Sequence, residues 1–263
     1  MLWFLLACSS PLSSPRAEHL TVALDADGRP TSVARDLDGD GAVDRTTWFT
    51  WTGPRLQEVA WQDAGSARQV RPVQWFADRV VFDGTTVRIS GGRAESLLLA
   101  GGSYRRFVWD LDRLRSVVDT QQQRTYQWVD PQRLTWHTVG GGDAGLCTFD
   151  EHDRLVFREI DVSGVGQAQA VSRSEWAHGP HGWTQERTVT AERAWMVERT
   201  WTAEGVTEVE TVGTAETLRR SWTVQGGTLT SAWMDWLLQG QYTPVREPVY
   251  CQGARRAPDT WVP

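Results

Sequence analysis

Four aspartates, Asp36, Asp38, Asp40 and Asp44, interleaved with Gly39 and Gly41, form the densest concentration of ligating chemistry in the sequence. Counted from Asp36, the carboxylates fall at positions 1, 3, 5 and 9 and a glycine at position 6. That is the spacing at which a turn converges oxygen ligands on one hard cation. Position 12 holds Thr47 rather than a bidentate Glu, so the expectation is a weak Ca²⁺ site, with a dissociation constant of about 10⁻⁴ M or weaker. The alternative is a solvated Asp-Gly turn. Two imidazoles flank a tight turn in His178-Gly179-Pro180-His181-Gly182, with no Cys or carboxylate close by to complete a metal site, and this reads as a hairpin tip. His137 and His152 are isolated. No nucleophile elbow, His-Glu-x-x-His or Cys-x-x-Cys occurs, so neither an enzyme nor an organic cofactor is expected.

Cysteine supplies the second chemistry. Residues 2–7 read Leu-Trp-Phe-Leu-Leu-Ala and run into Cys8, followed by the polar, helix-breaking Ser9, Ser10, Pro11, Ser13, Ser14 and Pro15. Leu5-Leu6-Ala7-Cys8 resembles a bacterial lipobox, which implies acylation of Cys8 and a stable membrane anchor, since two or more acyl chains hold where one does not. Ser9 rather than Asp after the cysteine resembles outer-membrane sorting. With Cys8 lipidated in an oxidising compartment, Cys147 and Cys251 remain. They are either bridged or two buried thiols. The expected organisation is a signal over 1–8, a tether over 9–18, a β-hairpin domain over 19–241 and an extended tail over 242–263.

The elements that must position these residues show as an internal repeat. Five segments share an aromatic, a polar turn, then Arg and an aliphatic: Trp51–Leu56, Trp75–Val80, Trp109–Leu114, Trp128–Leu134 and Phe149–Leu155, with a degenerate unit at Leu24–Pro30. The spacing of their arginines suits one β-hairpin per unit, the aromatics lying on one sheet face and stacking into a cross-strand ladder. Trp109-Asp110-Leu111-Asp112-Arg113-Leu114 and Phe149-Asp150-Glu151-His152-Asp153-Arg154-Leu155 resemble the tyrosine–aspartate (YD) repeats of Rhs-type proteins over roughly residues 20–165. That likeness implies the β-architecture; the large family members form a shell around a toxin, for which this chain is too short. The aspartate loop resembles the DxDGDGxxD loops of thrombospondin type 3, dockerin and integrin-like propeller repeats.

Beyond residue 165, alternating runs at Thr184–Thr190, Ala194–Thr202, Val206–Val212, Leu218–Val224 and Thr228–Trp233 continue the β-pattern, their Glu198, Arg199, Glu208, Glu210, Arg219 and Arg220 reading as a solvated face with cross-strand ion pairs. Ser231–Gln239 is the only helix candidate. The 263 residues carry 27 basic side chains, all of them Arg, against 33 acidic, for a net charge of -6. Without Asn, tight turns fall to Asp-Gly and Gly-Gly. The acidic balance and the lack of a basic stripe argue against a nucleic-acid partner. The 16 Trp suit the half-buried face of a sheet. The reading is therefore all-β: an antiparallel meander of β-hairpin repeats forming a curved sheet or open barrel. It belongs to a lipid-anchored envelope protein with a structural or interaction role, toward another envelope protein, or alternatively to a carrier holding an apolar ligand on a Trp-lined face.

Overall fold

The computed structural model describes residues 15–140, 143–161, 172–190, 192–240 and 242. The chain is all-β, a meander of short strands. The first half comprises β1 (Arg16–Leu24), β2 (Pro30–Asp36), β3 (Arg45–Thr52), β4 (Arg55–Asp63), β5 (Gln69–Trp75), β6 (Arg79–Phe82), β7 (Thr85–Ser90), β8 (Arg93–Leu98), β9 (Tyr104–Asp110) and β10 (Arg113–Asp119). The second comprises β11 (Gln123–Trp128), β12 (Arg133–Thr138), β13 (Ala144–Phe149), β14 (Leu155–Asp161), β15 (Ser172–Gly179), β16 (Gly182–Thr190), β17 (Ala194–Trp201), β18 (Gly205–Val212), β19 (Ala215–Gln225) and a helix, α1 (Ser231–Gln239). β1 begins at Arg16, inside the stretch expected to be tether.

Each strand pairs antiparallel with its neighbours in sequence, and the two ends meet: β1 lies parallel to β19, with Arg16 opposite Leu218 and Ala23 opposite Gln225. A meander reverses at every turn. An odd number of strands, 19 among the described residues, therefore leaves the first and last pointing the same way, and the ring closes only through a parallel seam. The barrel is thus closed rather than open, and closure removes the sheet edges at which another chain could add a strand.

Each repeat unit is a hairpin whose aromatic faces the aliphatic that follows the arginine. Trp51 opposes Leu56, Trp75 opposes Val80, Trp109 opposes Leu114, Trp128 opposes Leu134 and Phe149 opposes Leu155. A unit hidden in the sequence sits between the second and third of these: Ile89 opposes Ala94 after Arg93, an aliphatic in the aromatic slot. Because the strands alternate direction, these turns gather at one end of the barrel, and the Asp36–Asp44 loop joining β2 to β3 lies at the other.

The face bearing the repeat aromatics points inward and is buried, as Leu20, Val22, Val33, Leu56, Val59 and Val80 show. The outward face carries exposed charges such as Arg88, Arg106, Arg173, Glu175, Arg187 and Glu198. Where the inward face is apolar and the outward face charged, the pattern is the reverse of the apolar outer band of a membrane-spanning barrel. Among the described residues no helix is long and apolar enough to cross a membrane.

The helix lies against the inward face. Thr230, expected within a strand, instead caps it: its hydroxyl accepts from the amide of Trp233, and Gly240 closes the other end at φ 68°. A side chain other than glycine is strained in that left-handed conformation. Trp233, Met234, Trp236 and Leu237 recur on one helical face, and that face is buried. The Trp236 ring centroid is 4.9 Å from that of Phe49 and 5.3 Å from that of Tyr242, and Trp233 lies edge-on to Trp51 at 5.9 Å.

Candidate functional site

Three groupings of polar side chains stand out, and the first is the hairpin turn of each repeat. In the turn of β13–β14, Asp150 Oδ1 accepts from the amides of His152 and Arg154, and Oδ2 accepts from Arg154 Nε at 2.7 Å. Asp25 with Arg29 and Asp130 with Arg133 reproduce the arrangement. Burial pulls the Asp150 and Asp25 carboxyls up, but the amides and the guanidinium outweigh it and hold both below the ordinary aspartate range. The Arg133 side chain, with the amides of the turn, does the same for Asp130.

The arginine then reaches forward. The Arg29 guanidinium lies 5.7 Å from the Trp51 ring centroid, Arg55 lies 5.3 Å from Trp75, and Arg113 lies 5.0 Å from Trp128. The indole reaches back. Trp51 Nε1 donates to the carbonyl of Pro30, Trp75 Nε1 to Leu56 and Trp109 Nε1 to Ala94, each the residue after the preceding hairpin's arginine. Trp51, Trp75 and Trp109 thus each seat on the hairpin before them, a clasp from unit to unit. Trp128 and Phe149, with centroids 5.6 Å apart, are a stacked ring pair.

The second grouping is the aspartate loop. Asp36, Asp38 and Asp40 each place a carboxylate oxygen within 4.8 Å of the others. Asp44 does not join them; its Oδ2 accepts from the Leu37 amide at 2.7 Å. Asp36 accepts from Gly39 and Gly41. Desolvation pulls the Asp36 carboxyl up, but these bonds, with the contribution of Asp38, outweigh it and keep the group below its ordinary value. Three convergent carboxylates with free lone pairs suit a hard divalent cation.

The third grouping takes Arg199, Glu208 and Arg220 from the face expected to be solvated and adds Glu18 and Asp235, which the sequence reading did not name. One row of inward residues crosses four strands and ends on the helix: Glu18 of β1 opposes Arg220 of β19, which opposes Glu208 of β18, which opposes Arg199 of β17. Arg220 Nε donates to Glu18 at 2.6 Å, and its Nη1 pairs with Glu208. Arg199 Nε donates to Glu208 at 2.9 Å and Nη2 to Asp235 of α1 at 2.7 Å. The Arg199 guanidinium stacks 3.5 Å from the Trp183 ring centroid, and Trp183 Nε1 donates to Asp235 at 3.0 Å. Arg199 and Glu208 side chains are only 1% and 3% exposed. The ion pairs expected here exist, but on the buried face rather than a solvated one. The cue was parity: Arg199 is two residues from Trp201, Arg220 two from Trp222 and Glu18 two from Leu20, and period two puts each charge on the same face as its apolar neighbour.

Beside the ladder, Glu186 accepts from the Thr188 hydroxyl, which contacts Ser174 at 2.9 Å, and Arg158 donates to Ser174. Burial raises the Glu186 carboxyl above its ordinary value, with Asp235 adding to the effect and Arg158 opposing it.

Of the remaining sequence candidates, Cys147 is fully buried and disulfide-bonded. Cys8 and Cys251 lie outside the described residues. His178 Nε2 meets the Leu155 carbonyl at 2.8 Å, while His181 lies against Trp201, as befits a hairpin tip.

No protein-family model matches the chain. No curated protein matches it. Among solved structures, "Crystal Structure of TcdB2-TccC3" is similar over 77% of this chain and 16% of that one, at 10% identity and a TM-score of 0.34. The chain thus spans 16% of the length of that structure, and at this TM-score the likeness carries no argument; the repeat hairpins stand on their own geometry.

Proposed function

We propose that this chain is a lipid-anchored cell-envelope protein whose closed barrel has a structural or interaction role. The observation that carries the role is the clasp. Successive hairpins are bonded through their most distinctive residues, so the arginines and tryptophans of the repeat serve rigidity. At β3 the inward aromatic face is covered, Trp233 and Trp236 of α1 and the following Tyr242 packing on Phe49 and Trp51. That favours a scaffold over a carrier using the same face. The disulfide at Cys147 supports an oxidising compartment, and Leu5-Leu6-Ala7-Cys8 with the Ser/Pro stretch after it supports acylation of Cys8. The same reading assigns a weakly held Ca²⁺ to Asp36, Asp38 and Asp40.

A mass spectrum of the mature protein tests the anchor: acyl mass on Cys8 is expected, and a mature chain without it overturns the anchor. Organic extraction of the purified barrel tests the role. No stoichiometric lipid is expected, and one that co-purifies and quenches tryptophan emission overturns the scaffold reading in favour of the carrier.

A further inference from the structure

The outer surface of the barrel is uneven. On β15 and β19 the exposed arginines Arg173 and Arg219 are matched by Glu159 and Glu216. On β6 to β9 the register aligns Arg79, Arg88, Ser96 and Arg106 in one outward row. Arg79 is engaged by Asp78 and the Phe76 ring. Arg88 and Arg106 are exposed and make no ion pair or side-chain hydrogen bond among the described residues. They flank Ser96, which is 7% exposed, and lie two strands apart, about 10 Å. The nearest carboxylates in sequence, Asp83 and Asp110, pair with Arg71 and Arg115 instead. Close to them on the same face three apolar side chains are exposed: Leu98 is 45%, Tyr104 43% and Val108 37% exposed, and Leu98 pairs directly with Tyr104.

We infer that this face of β7–β9 docks on an anionic lipid surface, the guanidiniums of Arg88 and Arg106 meeting headgroup phosphates while Leu98, Tyr104 and Val108 enter the interfacial layer. Charge decides the sign: the chain is net acidic, at -6, yet offers two unpartnered cations side by side here. Guanidinium binds phosphate in bidentate fashion, and tyrosine sits naturally at the headgroup level. Shape decides the class. A closed sheet gives an extended peptide no edge to join, and the apolar residues spread over adjacent strands rather than lining a groove. A broad, soft, negatively charged surface fits both features. This docking is independent of acylation at Cys8.

The test uses the full chain carrying Cys8→Ala, so that no acyl group contributes. It is sedimented with vesicles of equimolar phosphatidylglycerol and phosphatidylcholine, and with phosphatidylcholine alone. Binding is expected to the anionic vesicles only, weakening with salt. With each arginine worth about 1 kcal/mol near such a surface, Arg88→Gln with Arg106→Gln should lower partitioning about thirtyfold. Leu98→Ser with Tyr104→Ser should lower it further, whereas Arg173→Gln with Arg219→Gln should not change it. All six positions point outward, and circular dichroism checks that each variant is folded. No binding to anionic vesicles, or an equal loss from the Arg173/Arg219 pair, overturns the proposal; the first result would leave an acidic protein as the occupant of these arginines. Loss of the Cys8 acyl mass with vesicle binding intact overturns the anchor and leaves the docking face standing.

Discussion

From β1 to β13 the interior of the barrel is mostly apolar, with Glu18, Arg35 and Arg124 as inward charges, and is assembled by local rules: hairpin after hairpin places an aromatic or aliphatic inward and clasps the unit before it. From β14 to β19 the inward face instead carries Arg158, Ser174, Thr188, Glu186, Arg199, Glu208 and Arg220, and order comes from a charge ladder that draws on β1 and α1, about 200 residues apart in the chain (Arg220 to Glu18, |i−j| = 202). The first region is redundant, since each clasp duplicates its neighbours. The second is a single connected network in which Arg199, Glu208 and Arg220 each answer for two other charges. The two halves of one sheet should therefore fail differently under mutation.

The largest effect belongs to the ladder. Arg199→Met strips Glu208 of one of its two arginines and Asp235 of its arginine, and should cost about 3–5 kcal/mol in denaturant unfolding, the usual penalty for a buried charge left unmatched. Combined with Arg220→Met, the loss should fall well short of the sum, because both arginines serve Glu208. Additive losses would dissolve the distinction between the regions.

Packing in the apolar half comes next. Gly145 faces Trp136 across β12–β13, and a Cβ there would stand 2.6 Å from the indole and 2.5 Å from the Glu159 carbonyl. Gly145→Ala should cost about 1–3 kcal/mol by overpacking, read from the unfolding midpoint. A single clasp should matter less. Trp75→Phe removes the bond to the Leu56 carbonyl and should cost about 1 kcal/mol. Adding Trp109→Phe should give a simple sum, since the two clasps share no residue.

The smallest effects are in pH dependence, and they carry opposite signs. Asp25, Asp130 and Asp150 titrate below 3.8 in the fold, so their stabilisation is complete above the unfolded value and is lost as pH falls through the lowered folded values. Asn at all three positions should flatten the acid limb of the stability curve. Glu186 is raised above 4.5, so its ionised form opposes folding at neutral pH, and this is relieved as pH falls through the folded value toward 4.5. Glu186→Gln should raise the melting temperature at neutral pH and leave it unchanged below 4.5. For the aspartate loop, millimolar Ca²⁺ should raise the melting temperature of the parent and not of Asp38→Asn with Asp40→Asn; no shift in the parent removes the cation from the proposed function.

The repeat was legible because its signals are local. Trp-bend-Arg-aliphatic and Asp-x-x-x-Arg are spent within one hairpin, so the strands, their inward faces and the turns follow from spacing. The Arg93 unit escaped because Ile89 fills the aromatic slot, which alters the word but not the geometry. Ser231–Gln239 is helical, as the sequence allowed, whereas Thr228–Trp233 runs into that helix: a β-branched residue at the N-cap position resembles a strand residue until the capping bond is seen.

What sequence alone decided was what closes within one hairpin, the all-β class and the hairpin repeats; of the four loop carboxylates it offered as ligands, the fold brings together three. Tertiary structure decided what depends on residues far apart in the chain. The odd strand count forces β1 beside β19, and only that seam brings Glu18 to Arg220. Only the return of α1 into the barrel converts Arg199 from an apparent surface charge into a buried one. Local patterns repeat because each hairpin closes with its own residues; closure has no local signature, and parity gives the face of the ladder's charges but not their partners, because the attraction that stabilises both exists only once the ring has formed.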